Sequence, residues 1–181
     1  MSRITHHASC FIAIIASALF AMPASAALLF SEPRQIEVAP NQEFEVGLFL
    51  DTQEDDINAI EGTLEFSSDI LELKEIRDGN TIINFWVERP VLSQTPVSFS
   101  GIIPGGYRFP KGLVLSFVFV AKGNGTGAIH VENARTLRND GQGTEAPLTL
   151  AFSSVNVTEK PEIPVPPVVA ILDTDAPESF R

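Results

Sequence analysis

Cysteine is nearly absent from this sequence, and histidine is scarce: one Cys and three His in 181 residues. Cys10, His6 and His7 all fall at the start, in a stretch that reads as a secretory signal peptide. Arg3 precedes the apolar run CFIAIIASALFAM, Pro23 ends it, and Ala24-Ser25-Ala26 supplies the small-x-small pattern of a cleavage site. The run is short for a membrane span and stops at a proline, so cleavage after Ala26 is expected rather than a retained anchor. No leucine stands three residues before Cys10, which argues against lipidation. The remaining chain has no cysteine and one histidine, His130. A disulfide framework is excluded, although an oxidising compartment would permit one. Zinc sites of the Cys/His kind are excluded, as is a cysteine nucleophile. A Ser–His–Asp triad could form only around His130.

Positive charge is also short: 12 Lys and Arg face 23 Asp and Glu. Of the basic residues only Arg3 lies in the expected signal, and none of the acids does, so cleavage takes the formal charge from −11 to −12. Such a surface repels phosphate backbones and argues against nucleic acid as a partner. Neither a G-x-S-x-G elbow nor a glycine-rich phosphate loop is present. No segment carries a helical apolar stripe with caps.

What is present is alternation of period two. Phe44, Val46, Leu48 and Leu50 point one way, and Glu43, Glu45, Gly47 and Phe49 the other. Ile60, Leu64 and Phe66 repeat the pattern; Leu71 and Leu73 follow the Ser-Ser-Asp turn. Ile83, Phe85 and Val87 alternate as well, and an inward Phe85 would turn Trp86 outward. A run from Val97 and Phe99 is expected to end at Pro104-Gly105-Gly106. GLVLSFVFVAK is apolar on both faces and reads as a central strand covered on both sides. Ala128 to Val131 and Leu148 to Val157 complete the set, with turns at Asp78-Gly79-Asn80, Gly123-Asn124-Gly125 and Asp140-Gly141. About nine short strands of this kind predict an all-β fold, an antiparallel β-sandwich or jelly roll, over residues 27–158. Residues 159–170, EKPEIPVPPVVA, read as an extended Pro-rich linker. Residues 171–181 read as a tail or the start of a further domain.

The acid knot Asp51, Glu54, Asp55, Asp56 lies between two alternating runs. An EF-hand loop begun at Asp51 would need glycine where Asp56 stands and glutamate where Gly62 stands, so the EF-hand is excluded. The remaining readings are a solvated loop and an irregular calcium site built from Asp51, Asp55 and Asp56. Otherwise no cofactor is expected. Trp86, the sole tryptophan, with Glu88 and Arg89, and Tyr107 with Arg108 in PGGYRFP, are the candidate binding residues. An exposed aromatic anchors either a sugar ring or a protein interface, and Gly-Pro-rich loops tend to carry binding residues.

Three stretches in order, IEVAPNQEFEVGLFLDT, INAIEGTLEFSSDILELKEI and GLVLSFVFVAKGNGTGAIHVENARTLRNDG, resemble the cohesin family. The match rests on Phe44 and Val46, on Ile57-Asn58 with Leu64 and Phe66, on Ile70 to Leu73, and on Gly112 to Lys122. It runs from about Leu28 to Val157. The middle segment INFWVERPVLSQTPVSFSGIIPGGYRFP resembles variant cohesin-like domains of secreted bacterial proteins without an obvious cellulosome. The resemblance implies a secreted, non-catalytic binding module with the cohesin jelly roll. Its flat sheet face would attach to a dockerin-like or other extracellular protein, in an assembly with a link to polysaccharide breakdown. The acidic surface favours a basic or calcium-loaded partner. Direct polysaccharide recognition through Trp86 and Tyr107 and a purely structural spacer are the alternatives, and no membrane span is expected in the mature chain.

Overall fold

The computed structural model describes residues 26–94 and 96–159. The expected signal peptide and Pro-rich segment lie outside these residues, Ala26 and Glu159 apart. Eleven strands form two sheets: β1 Ala27–Glu32, β2 Gln35–Val38, β3 Glu43–Asp51, β4 Ile57–Phe66, β5 Leu71–Arg77, β6 Phe85–Glu88, β7 Val97–Tyr107, β8 Gly112–Ala121, β9 Gly125–Arg138, β10 Leu148–Ala151 and β11 Ser153–Val157. One sheet has the order β10-β1-β3-β8-β5 and the other β2-β11-β9-β4-β7-β6. The first and last pairs of strands are each a single stretch that leaves one sheet for the other. The switches fall at Pro33-Arg34 and at Phe152. Counted as stretches, the eleven described strands make nine: eight are the runs that the alternation singles out, and the first, β1 with β2, is not among them.

The fold is an all-β sandwich. It is not wholly antiparallel: β1 pairs parallel with β10, and β2 with β11. This follows from the switches, because the first and last stretches run the same way and cross together. Between the sheets lie the residues that the alternation turns inward, among them Leu29, Val46, Leu48, Leu50, Ile60, Leu64, Phe99, Phe117, Phe119, Ile129 and Val155. Phe119 meets Phe66 edge-on at 5.2 Å and Phe44 in a stack at 5.7 Å. Such aromatic contacts add to the burial that drives the sheets together.

Two expectations need correction here. Strand β8 is buried along most of its length, yet it is one strand from the sheet edge rather than central. Among the described residues no further element covers its outer side. Val118 stands there opposite Glu45 and Glu75, both paired to Arg77, and the stems of these charged side chains shield it. Nor does β7 end at Pro104. It continues to Tyr107, because Ile103 to Gly106 bulge out between the pairs Ala59–Ile102 and Ile57–Tyr107. Gly105 and Gly106 make the bulge with φ of 87° and 81°, a region open to glycine at little cost.

Candidate functional site

The outer face of the six-stranded sheet carries two parallel rows of side chains across four strands. Phe85 stands opposite Ile102, Ile102 opposite Ala59, and Ala59 opposite Leu137. Residues directly opposite share a face, and their neighbours in sequence, Trp86, Gly101, Ile103, Ile60 and Thr136, point inward or are buried. The first row is therefore apolar and on the outer face, with Phe85 exposed and Ile102, Ala59 and Leu137 partly buried. The second row runs Glu88, Ser100, Glu61, Arg135, and Arg135 Nε lies 3.2 Å from Glu61 Oε1. Thr63 beside Ser98 and Glu132, and Glu65 beside His130, continue the face in polar form. At its β6 edge Phe85 is 60% exposed and Val87 62%, and Val91 and Leu92 in the following turn are about half exposed. An apolar line with a charged margin on one outer sheet face has a composition suited to a protein partner.

Trp86 is not part of that surface. The expected orientation of β6 is reversed: Phe85 and Val87 face solvent, and Trp86 packs against the core. Residues 81–84 cause the reversal. Thr81 Oγ1 donates to Val114 O and Ile82 N–H to Leu113 O in one sheet, and then Asn84 N–H donates to Ile102 O in the other. The chain crosses the open end of the sandwich there, and the crossing shifts the phase between Ile83 and Phe85. Trp86 then falls opposite Gly101 on the core side. Glu88 faces out in the second row. Arg89 is ion-paired to Asp78. Tyr107 and Arg108 lie at the far end of β7, apart from Trp86, Glu88 and Arg89. Tyr107 is partly buried, pairs with Ile57 and meets Phe109 edge-on at 5.4 Å. Burial first, and then the Asp51 charge, push its hydroxyl above the ordinary value of 10.0. Arg108 is exposed, 3.9 Å from Asp56.

Neither a family model nor a curated protein matches the chain by sequence. Solved structures do match by shape. The third ScaB cohesin of R. flavefaciens, solved with a group 1 dockerin, superposes with a TM-score of 0.62 at 13% identity, over 77% of this chain and 100% of that one. A non-cellulosomal cohesin from Archaeoglobus fulgidus gives 0.62 at 12%, over 76% and 95%. The cohesin module of a Clostridium perfringens family 33 glycoside hydrolase gives 0.57 at 14%, over 75% and 100%. The chain has the cohesin fold.

In this cohesin-like domain the acid knot is divided among separate partners. Asp51 accepts from the Gln53 backbone and side chain at 2.9 and 2.7 Å. Asp55 accepts from Arg138 Nε and Nη2, both at 3.2 Å. Asp56 accepts from Asn139 Nδ2 at 3.2 Å, and its carboxylate tucks against Gly106 where any side chain would collide. Among the described residues no three His, Cys, Asp or Glu side chains converge on a point that could hold a metal. Gln53 and Glu54 both have positive φ, which shapes the knot into a tight turn. His130 meets Phe152 edge-on at 5.5 Å and Glu132 at 3.2 Å, so the groups against its ring are a phenyl and a carboxylate rather than a serine hydroxyl. No described helix is long and apolar enough to cross a membrane.

Sequence reasoning missed Phe85, Ile102, Ala59 and Leu137 as a set. Strand phase alone cannot reveal a row across four strands, since that needs the register. A usable signal did exist in Phe85, Val87, Val91 and Leu92, four apolar residues around a Pro90 that ends the strand.

Proposed function

We propose that this cohesin-like domain is a non-catalytic module that binds a partner protein through the outer face of its six-stranded sheet. The observation that carries the reading is the apolar row Phe85–Ile102–Ala59–Leu137 beside the charged row at Glu61 and Arg135. Glu61, Glu65, Glu88 and Glu132 outnumber Arg135 on this face, so a fitting partner offers apolar side chains flanked by Lys or Arg. A dockerin-type protein is the partner class. The pairing of the R. flavefaciens cohesin with a dockerin supports it, and the Archaeoglobus example supports a cohesin-like domain working outside a cellulosome. The N-terminal signal pattern supports secretion. The C. perfringens module, part of a family 33 glycoside hydrolase, supports a role alongside glycoside hydrolases. The surroundings of His130 and the split acid knot give no support to a catalytic reading, and the bonds from Arg138 to Asp55 and from Asn139 to Asp56 favour a solvated loop over a calcium site there.

The test is a calorimetric titration of the protein with a panel of calcium-loaded dockerin modules. Binding to one of them, weakened about tenfold or more by Ile102→Arg, is expected; a change of 1.4 kcal/mol corresponds to that factor. Absence of binding across the panel would remove the dockerin class, and binding indifferent to Ile102→Arg would remove this face.

A further inference from the structure

We propose a second binding site on the opposite side of the sandwich: the outer face of the five-stranded sheet takes a neutral pyranose polysaccharide at Phe30 and Phe49. These two residues stand directly opposite each other on β1 and β3. Their neighbours Leu29, Leu48 and Leu50 are in the core, so both rings point outward, and neither packs against the core. The ring centroids are 5.7 Å apart with planes inclined by 28°. Gly47 explains the lie of Phe49. A Cβ at Gly47 would come 2.6 Å from the Phe49 ring, so only glycine lets the ring settle onto the sheet surface.

Beside the rings is an open depression of about 590 Å³ bounded by Glu32, Arg34, Glu45 and Ser116. The Arg34 guanidinium is 5.9 Å from the Phe30 centroid and Lys111 Nζ 4.7 Å from that of Phe49. Lys111 is ion-paired to Glu32. Glu45 is itself paired to Arg77, which also holds Glu75, so Arg34, Lys111 and Arg77 face Glu32, Glu45 and Glu75 around the patch, on a chain whose formal charge is −11. The balance favours neither a polyanion nor a polycation. A pyranose ring fits: its C–H face lies on an aromatic ring, and its hydroxyls both donate and accept. Glu32 and the Glu45 oxygen not bound by Arg77 accept from hydroxyls, Arg34 and Lys111 donate to them, and Ser116 does either. Lys111 lies over Phe49 in the free protein, but its side chain is half exposed and long enough to swing aside.

This site is independent of the protein-binding face, and its failure would leave that reading untouched. The experiment is depletion of the full-length protein by insoluble cellulose, chitin, xylan, mannan and starch. Retention on at least one of them is expected. Phe49→Ala and Phe30→Ala should each weaken it about tenfold or more, and Arg34→Ala several-fold, with circular dichroism unchanged and the fold retained, because both rings are partly buried on the outer face rather than in the core. Phe85→Asp on the other sheet should retain full binding. Lack of retention on all five polysaccharides, or equal retention by Phe49→Ala, overturns the proposal.

Discussion

Trp86 carries the sharpest test at the scale of single residues. As a side chain half-buried against the core it contributes packing, so Trp86→Ala should destabilise the fold by about 2–3 kcal/mol, below the range for a fully buried aromatic. Urea denaturation measures this, and a stability equal to the parent would mean that the ring faces solvent. Tyr107 is the only tyrosine, so tyrosinate absorbance follows one group. Its ionisation should lie above 10.0 in the folded protein, from burial first and Asp51 second. A folded value above the unfolded one means that the folded state holds this proton more tightly. The associated stability is present below pH 10 and is lost as pH rises through the folded value. Thr136 is fully buried, and its hydroxyl has no partner among the described residues. An unpaired buried hydroxyl costs free energy that an isosteric methyl does not. Thr136→Val should therefore raise stability by about 1 kcal/mol, seen as a higher midpoint in the same denaturation.

Strand identity was largely legible, and strand environment less so. The inward set of β3, Val46, Leu48 and Leu50, follows directly from its alternation. The phase of β6 did not, because the crossing at residues 81–84 is set by hydrogen bonds to two different sheets, which no local pattern announces. The bulge in β7 was hidden for a related reason. Pro104-Gly105-Gly106 has loop chemistry, and only the pairing of Tyr107 with Ile57 makes it part of a strand. The split of Leu148 to Val157 into β10 and β11 has a local clue in Phe152, which is about half exposed within an otherwise alternating run. Close packing at the β6–β7 edge rests on Gly101, where a Cβ would collide with Ile83. Gly101→Ala should cost about 1–3 kcal/mol through overpacking. It should also loosen β6, which amide hydrogen exchange would register as faster exchange at Phe85 to Glu88.

At the scale of the molecule, the two sheets turn different chemistry to solvent. The six-stranded sheet offers an apolar row with an acidic margin, and the five-stranded sheet an aromatic pair among balanced charges. The cohesin resemblance in the sequence anticipated the fold and led to the expectation of a binding face on one sheet. It could not locate the face, because Phe85, Ile102, Ala59 and Leu137 are scattered through more than fifty residues and become a surface only through strand order. The measurement that tests the central claim most directly is differential capture. The protein and its Ile102→Arg variant are immobilised in parallel and exposed to the secreted proteins of the source organism, and the bound proteins are quantified. At least one protein should be held by the parent, lost by Ile102→Arg and still held by Phe49→Ala. Equal capture by parent and Ile102→Arg, or loss with Phe49→Ala alone, would contradict the claim.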